Sequence, residues 1–360
     1  MYSSQDCGFA ASLLTVRVFA TPEDLTDAAM QTAIRLLRHD DVFAMEPTPL
    51  PPLPAAAVDP SEVTPMANQS SSGTAKHLVL SGGSTPQALY KQFKEHLIFE
   101  SISTEAPLHL WIGDERMVEE SDASHSNAYM VRAAWLNAVE AKGWSVPFHT
   151  VRPRPMSESA ADAARRYASE MEAEPSLAKD EYGVPVFTVL LLGVGPDGHI
   201  ASLFPPAWVP PNWGAVGVEE EPPPSRCCRA SLESSAEETP TAALSREGGS
   251  RHIVVNVTPL PSVSPALERV TITPAVIRAA KHIIVMATGA AKRWIFADLL
   301  HQARPRGGQH ATSSHAPQDD IAPAISAPPP TTSPTVARWI KSCRGTVTIL
   351  LDVTAAPSAI

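Results

Sequence analysis

The sequence has little of what marks membrane-spanning or secreted proteins. It holds 4 cysteines, and neither the adjacent pair Cys227–Cys228 nor the other two, Cys7 and Cys343, have the spacing of a metal site. No run of about 18 apolar residues could span a bilayer. The first residues, MYSSQDCGFAASLLTVRVF, have no basic start before their apolar stretch, so we expect no signal peptide. These absences predict a protein of the reducing cytoplasm without a membrane partner.

Clustered positive charge is also missing. The formal net charge is −10, and no group of Lys and Arg could neutralise a phosphate backbone, which argues against nucleic-acid binding. A hydrophobic content of 44% with 18% charged residues is typical of a soluble globular protein. We therefore expect the partners to be small molecules.

Three stretches show no apolar period and are rich in Pro, Ser and Ala: residues 45–75, 205–250 and 303–335. Proline removes backbone donors, and the remaining residues offer little to bury, so we expect inserted loops that are disordered. About 250 residues remain for an ordered core, which suits one domain over residues 14–353.

Short apolar runs alternate with helical segments along that core. Helices are expected from Pro22, from Pro86 at a first helical position, and from Ala290 through Leu300. The predicted strands are LTVRVF (14–19), HLVL (77–80), LHLWIG (108–113), VFTVLLLG (186–193), HIVVNV (252–257), HIIVMATG (282–289) and TVTILLDV (346–353). Several runs are apolar at every position, as in strands covered on both faces. This alternation predicts an α/β fold with a mainly parallel β-sheet and helices on both faces.

Ligands of such sheets bind beyond the carboxyl ends of the strands, so the turns that follow the apolar runs are the candidate site. In LSGGSTPQALY (80–90), the glycines allow close backbone approach and the hydroxyl groups surround the start of a helix, where N–H groups bind anions. This pattern favours a phosphate cradle of Ser81, Gly82, Gly83, Ser84 and Thr85. A plain glycine-rich turn with a threonine cap is the alternative.

A second turn, in WIGDERMVEE, places Asp114, Glu115 and Arg116 just after a strand. Arg116 could present its planar guanidinium to a phosphate or carbonyl oxygen. The alternative is an ion pair on the surface. Ser126 and Asn127, which open the next helix, fit simple caps.

The third turn, GVGPDGH (193–199), sets Asp197 and His199 one residue apart after a buried strand. Asp197 could accept a hydrogen bond from one imidazole nitrogen and leave the other as a base near neutral pH. The alternative is a capping aspartate beside a histidine that merely faces solvent.

The fourth turn, MATGAAKRWIF (286–296), places Lys292 in the first turn of a helix. Helices favour lysine at their other end, so this position is slightly unfavourable unless an anion is bound. Lys292 is therefore a candidate counter-charge for a phosphate group.

The ordered motifs LSGGSTP, GDER with SN further on, GVGPDGH followed by SLFP, RVTITPAVI and ATGAAK closely resemble the 6-phosphogluconolactonase family. The resemblance covers most of the chain between about residue 14 and residue 353 and leaves out the three proline-rich stretches. Glucosamine-6-phosphate deaminases share the phosphate turn and a similar GPDGH turn. GDER, SN and SLFP favour the lactonase branch.

The resemblance implies a Rossmann-like fold and hydrolysis of 6-phospho-D-glucono-1,5-lactone to 6-phosphogluconate, the second step of the oxidative pentose phosphate pathway. It implies no required metal or organic cofactor. We assign His199 as the base that deprotonates water, Asp197 as the group that orients it, and Arg116 as a cation for the oxyanion or the phosphate. The expected substrate-binding residues are Ser81, Gly82, Gly83, Ser84, Thr85, Asp114, Arg269 and Lys292.

One segment departs from the family pattern. Members usually carry an SPKPP-like sequence before the RVT strand, whereas this chain has SVSPALERVT (262–271), with Ser264 near the usual lysine and Arg269 retained. The lost cation would weaken the phosphate site.

Two other functions stay open. An amino-sugar-phosphate isomerase or deaminase would need a second base, for which Asp114 is the candidate. A noncatalytic sugar-phosphate sensor would use the same cradle, with the inserted stretches contacting another protein.

Overall fold

The structure is a computed structural model that describes residues 14–38, 74–95, 106–151, 158–204, 253–258, 265–303, 340 and 343–357. The proline-rich stretches lie outside these ranges apart from a few terminal residues, so their disorder stays a prediction. Ser264 also lies outside these ranges, so the weaker phosphate site expected from it stays a prediction.

Ten strands and seven helices are described. The strands are β1 (Leu14–Phe19), β2 (Lys76–Leu80), β3 (Leu108–Ile112), β4 (Asp114–Arg116), β5 (Phe148–His149), β6 (Val189–Gly193), β7 (Val254–Val257), β8 (Arg269–Ile272), β9 (His282–Ala287) and β10 (Thr346–Asp352). The helices are α1 (Pro22–Arg38), α2 (Ser84–Glu95), α3 (Asn127–Val131), α4 (Asn137–Ala141), α5 (Ala160–Ala173), α6 (Pro274–Ala279) and α7 (Arg293–Ala303). A π-helical segment (Arg132–Leu136) joins α3 to α4, and a 3₁₀ turn (Ala290–Lys292) precedes α7.

Seven strands form one sheet in the order β1-β10-β9-β6-β2-β3-β5, and every pairing in it is parallel. The inner strands are mostly apolar and largely buried because both of their faces are covered. One hydrophobic cluster packs beneath α1, α2 and the α3–α4 region, and the other packs beneath α5, α6 and α7. The prediction of an α/β fold with a mainly parallel sheet and helices on both faces is confirmed.

A second sheet of three antiparallel strands, in the order β4-β8-β7, follows the carboxyl end of β3. The run HIVVNV was predicted like the parallel strands, but β7, its described strand, pairs with β8 in this sheet. Val254 and Val257 are buried, Val255 is partly buried and Asn256 is exposed. β7 is therefore less covered than the inner parallel strands, as is common for antiparallel strands, which can face water on one side.

Several predicted boundaries shift. α2 begins at Ser84, so the prediction of Pro86 at the first helical position is wrong; Pro86 is the third residue of the helix. Of VFTVLLLG only Val189–Gly193 is a strand. The helix expected from Ala290 starts as a 3₁₀ turn and becomes α-helical at Arg293. Within the described ranges, every helix is too short or too polar to cross a membrane.

Candidate functional site

The site lies where the order of the strands reverses. From β2 the chain proceeds to β3 and β5 on one side, and β6 is then added on the other side of β2. The connections that follow β2 and β6 therefore diverge, and in such sheets a crevice forms between them at the carboxyl ends of the two strands. The Gly193 N–H donates to Ser81 Oγ at 3.4 Å, which joins the two turns at the base of the crevice.

The cradle predicted after β2 is fixed by hydrogen bonds to Tyr90 and to the turn after β9. Ser81 donates its N–H to the Tyr90 hydroxyl and its carbonyl accepts from the same hydroxyl, both at 2.9 Å. The Thr85 and Thr288 hydroxyls are 2.9 Å apart and link the cradle to the turn after β9. The first N–H groups of α2, from Ser84 on, have no partner within the helix, so the helix start can bind an anion.

The histidine turn after β6 has a defined geometry. His199 Nδ1 lies 2.5 Å from Asp197 Oδ1, as the sequence predicted. A Cβ atom on Gly195 would lie 2.2 Å from the imidazole, so a glycine is required beneath His199. Trp294 Nε1 donates to the Pro196 carbonyl at 3.2 Å and holds the turn from the other side.

The contact with Asp197 determines which nitrogen of His199 is available. Burial opposes ionisation of Asp197, but the hydrogen bond and the charge of His199 outweigh it and lower the pKa of the carboxyl. An ionised Asp197 keeps the proton on Nδ1 and the lone pair on Nε2. No described residue hydrogen-bonds Nε2, and the side chain of His199 is 25% exposed. The arrangement can abstract a proton from a molecule in the crevice.

Phe204 joins the histidine turn to the small sheet. The centroid of the Phe204 ring lies 4.7 Å from the centroid of the His199 ring. The Arg269 guanidinium lies 5.1 Å from the Phe204 centroid. Ser202 Oγ donates to Asp114 Oδ2 at 2.6 Å and anchors the segment to β4. Phe204 of the SLFP motif therefore lies between His199 and Arg269 and contacts both.

Two arginines face each other in the small sheet. Arg116 on β4 is directly opposite Arg269 on β8. The Nε atoms of both side chains are buried without a hydrogen-bond partner, and Arg269 is only 3% exposed. Burial and the charge of Arg116 lower the pKa of Arg269. One buried and one partly buried guanidinium, each with an Nε that has no hydrogen-bond partner among the described residues, create a site for an anion.

Asn127 orients Arg116, which sequence reasoning missed when it treated the SN pair as caps. Its Oδ1 accepts from Arg116 Nη1, and its Nδ2 donates to the Asp114 carbonyl at 2.7 Å. A Cβ on Gly82 would lie 2.1 Å from Asn127 Oδ1, so the cradle and the arginine meet at this amide. Ser126 is a cap as expected, because its side chain accepts from Tyr129 N.

Glu115 is buried, so the alternative of a surface ion pair in GDER is wrong. Its carboxylate accepts the N–H groups of Arg116, Asn127 and Ala128 and the Ser126 hydroxyl, at 2.8–3.2 Å. Burial raises the pKa of Glu115 to about 7, against the effect of these hydrogen bonds. The carboxylate caps α3 and fixes the residues that hold Arg116.

Lys292 lies in the neighbouring turn after β9. It is half-buried, and burial lowers its pKa although the Asp352 carboxylate opposes that shift. Within the described residues, Lys292 forms no ion pair within 4 Å. It is linked to the cradle through its turn, by the contact between Thr85 and Thr288, rather than by a direct bond.

The structure thus connects most of the predicted residues through contacts. A continuous set of contacts runs from His199 through Phe204, Arg269, Arg116 and Asn127 to Gly82. Asp114 is buried, and its Oδ2 is engaged by Ser202, so its contact with a substrate stays a prediction.

Comparison with known proteins identifies the family of the chain. The family model for glucosamine-6-phosphate isomerases/6-phosphogluconolactonase matches residues 55–231 and 240–318, and these ranges run through parts of the three proline-rich stretches. The 6-phosphogluconolactonase of Synechocystis sp. is 35% identical over 130 residues, 36% of this chain and 48% of that protein. That of Streptomyces coelicolor is 35% identical over 158 residues, 43% of this chain and 59% of that protein.

The chain spans about half the length of these curated relatives in the aligned regions. The 6-phosphogluconolactonase structure from Trypanosoma brucei superposes with a TM-score of 0.57 at 24% identity, covering 94% of this chain and 96% of that one, and so shows the same fold. Since the family model matches most of the chain, the protein belongs to the glucosamine-6-phosphate isomerase/6-phosphogluconolactonase family.

Proposed function

We propose that this protein hydrolyses 6-phospho-D-glucono-1,5-lactone to 6-phospho-D-gluconate. The observation that carries the proposal is the position of His199. Its Nδ1 is bonded to Asp197, no described residue hydrogen-bonds its Nε2, and Phe204 lies between its ring and Arg269, the partner of Arg116 in the small sheet. A base near two guanidinium groups suits attack of water on a carbonyl carbon.

His199 Nε2 takes a proton from water as the water oxygen bonds to the lactone carbonyl carbon. The carbonyl oxygen becomes anionic and is stabilised by a guanidinium group, for which Arg116 is our assignment. The tetrahedral species then collapses and the bond from the carbonyl carbon to the ring oxygen breaks. His199 returns its proton to that oxygen, so no covalent enzyme intermediate is needed.

The phosphate group would be bound away from the reacting carbon by the cradle of Ser81, Gly82, Gly83, Ser84 and Thr85 at the start of α2. Lys292 in the adjacent turn supplies a counter-charge, and Arg269 supplies a second. Binding the phosphate firmly aligns the lactone carbonyl with His199, which reduces the entropy cost of the attack. The protein's own residues supply every group in this scheme, and we expect it to act in the reducing cytoplasm without a cofactor.

The position of Asp114 favours the lactonase over a deaminase. A deaminase must move a proton between adjacent carbons and needs a second base in addition to His199. Asp114 is the candidate in this sequence, but it is 5% exposed and its Oδ2 accepts from Ser202. A noncatalytic sensor would not require the pair of Asp197 and His199.

The test is a coupled assay with freshly generated lactone, in which spontaneous hydrolysis is measured and subtracted. We expect turnover by the wild-type chain and a loss of about 10²–10⁴-fold in kcat for His199→Ala. Ammonia release from glucosamine 6-phosphate would instead identify a deaminase. Tight binding of 6-phosphogluconate without turnover of either substrate would identify a sensor, and nearly full activity of His199→Ala would reject the base assignment.

A further inference from the structure

A cluster of imidazole and carboxylate groups lies outside the candidate site. His77 and His109 are paired neighbours near the amino ends of β2 and β3, whereas the candidate site lies beyond the carboxyl ends. His149 is on the edge strand β5, and Glu174 follows α5. Three ligand atoms, one each from His109, His149 and Glu174, lie within 4.8 Å of one another.

The separation of the two histidine nitrogens suits a tetrahedral metal ion. His109 Nδ1 lies 3.3 Å from His149 Nε2 and 3.8 Å from Glu174 Oε2. Nitrogen ligands of tetrahedral Zn²⁺, bound at about 2.0–2.1 Å, are separated by about 3.3 Å. The three side chains are 14–16% exposed, which leaves room for water as a fourth ligand.

His149 is oriented by a second carboxylate. Its Nδ1 lies 2.6 Å from Glu170 Oε1 on α5. A proton on Nδ1 satisfies this contact and leaves the Nε2 lone pair directed toward His109 and Glu174. A carboxylate behind a histidine ligand is the usual outer support of a metal site.

Glu174 is oriented by a chain of hydrogen bonds with one consistent direction. Trp111 Nε1 donates to His77 Nδ1 at 3.1 Å, so the proton of His77 is on Nε2, which faces Ser176 Oγ at 3.2 Å. Ser176 Oγ in turn donates to Glu174 Oε1 at 2.5 Å. The other carboxylate oxygen, Oε2, is the one that faces His109.

The three side chains also have suitable chemistry. Two imidazoles and a carboxylate form a donor set that suits Zn²⁺.

We propose that His109, His149 and Glu174 bind a divalent first-row metal ion, with Zn²⁺ as the representative ion. The ligands come from β3, from β5 and from the segment after α5. The ion therefore clamps the two-residue edge strand and the end of α5 to the sheet. The site is structural, and its test is independent of lactone hydrolysis.

The first test is calorimetric titration of the full, tag-free chain with Zn²⁺, for the wild type and for His109→Gln and His149→Gln. We expect the wild type to contain one site whose affinity falls by about 100-fold or more in either variant. It should fall by about tenfold in Ser176→Ala, which removes the hydroxyl between His77 and Glu174 but no ligand. His125→Gln, which removes a histidine outside the cluster, should bind as the wild type does. Equal affinity and stoichiometry of the wild type and both cluster variants would overturn the proposal.

The second test is thermal unfolding. Zn²⁺ at about 100 times its Kd should raise the Tm of the wild type by about 5 °C or more and leave that of His109→Gln unchanged. If the histidine variants do not fold, Glu174→Gln keeps an acceptor for Ser176 and removes a ligand oxygen and its charge. An equal Tm increase in the wild type and Glu174→Gln, or none in the wild type, would show that the cluster is only a hydrogen-bonded network.

Discussion

The smallest unit of the proposed mechanism is the bond between Asp197 and His199. In Asp197→Asn the amide oxygen can still accept from Nδ1, but the charge that favours a protonated imidazole during turnover is lost. We expect kcat to fall by about 10²-fold or more and KM to change little, since Asp197 does not hold the phosphate. Steady-state kinetics in the coupled assay measure both quantities.

Asp27→Asn is the matched control, because Asp27 accepts from Gln92 on the helix surface and an asparagine oxygen can do the same. A KM effect as large as the kcat effect in Asp197→Asn would mean that this carboxylate binds substrate instead.

The buried hydrogen bonds of Glu115 predict the effect of its substitution on the free energy of unfolding. In Glu115→Gln an NH₂ group replaces one carboxylate oxygen, and the two donors that face that oxygen lose their acceptor. We expect the free energy of unfolding to fall by about 3 kcal/mol, because a buried unsatisfied donor costs about 1–3 kcal/mol. Denaturant unfolding measures it, with the exposed Glu119→Gln expected to stay within about 0.5 kcal/mol of the wild type.

The same variant has a predicted pH dependence. The folded pKa of Glu115, about 7, exceeds the usual value of 4.5, so the folded chain binds more protons than the unfolded chain between these pH values. The contribution of Glu115 to the free energy of unfolding therefore falls as pH rises through that window. The deficit of Glu115→Gln should shrink from pH 5 to pH 8. A deficit that grows would mean that the hydrogen bonds, rather than burial, determine this pKa.

At the scale of single residues, the sequence predicted the site residues that directly follow strands, but it did not predict the residues that orient them. The proximity of Asp197 and His199 could be predicted because both are in one short turn. Asn127 contacts Arg116, 11 residues earlier, and Phe204 contacts Arg269 in another segment, and no local pattern specifies such contacts. The motifs SN and SLFP were the available signal, and they indicated a family rather than a geometry.

At the scale of elements, the pairing of β4 with β8 sets the partly buried Arg116 opposite the buried Arg269. Arg269→Gln removes one cation, so the Tm increase that 6-phosphogluconate produces in the wild type should largely disappear and KM should rise by about tenfold or more. The ligand-free Tm should change less, because the repulsion between the two guanidinium groups is lost with the contacts of Arg269.

Arg165→Gln is the control for this prediction. Arg165 is 63% exposed on α5 and pairs with Asp162, so its removal should leave ligand binding and KM unchanged. If 6-phosphogluconate stabilised Arg269→Gln as much as it stabilises the wild type, the arginine pair would not be an anion site.

Strands with an apolar sequence could be predicted whether or not they are buried. β9 is buried at every residue and β1 is only partly buried, yet the apolar run of each gave the strand directly. β4 consists of Asp114, Glu115 and Arg116, which are held by hydrogen bonds from other segments, so its polar sequence gave no strand signal. β5 has two residues, too few for any period to be recognised.

At the scale of the whole molecule, the strand order could not be predicted although the parallel sheet could. Apolar runs fix which segments are strands, but the addition of β6 beside β2 depends on packing between distant segments. The expectation that ligands bind beyond the carboxyl ends was enough to select the four turns without that order.

The single-domain prediction can be tested by replacing residues 210–245 with a Gly-Ser linker of about six residues. Phe204 and Ile253, the described residues on either side of the stretch, are both buried. We expect kcat/KM within about threefold of the wild type and a similar Tm, because the proline- and serine-rich composition offers little to bury. A chain with residues 210–245 scrambled is the matched control. Loss of activity in the shortened chain with an unchanged Tm would make the stretch part of the site.

The hydrogen bond from Trp294 to the Pro196 carbonyl has a practical consequence. Indole emission depends on the polarity and hydrogen bonding around the ring, and this ring touches the backbone of the turn that carries His199. Of the 7 tryptophans in the chain, Trp294 is therefore an intrinsic fluorophore for following ligand entry in real time, without a label and without turnover.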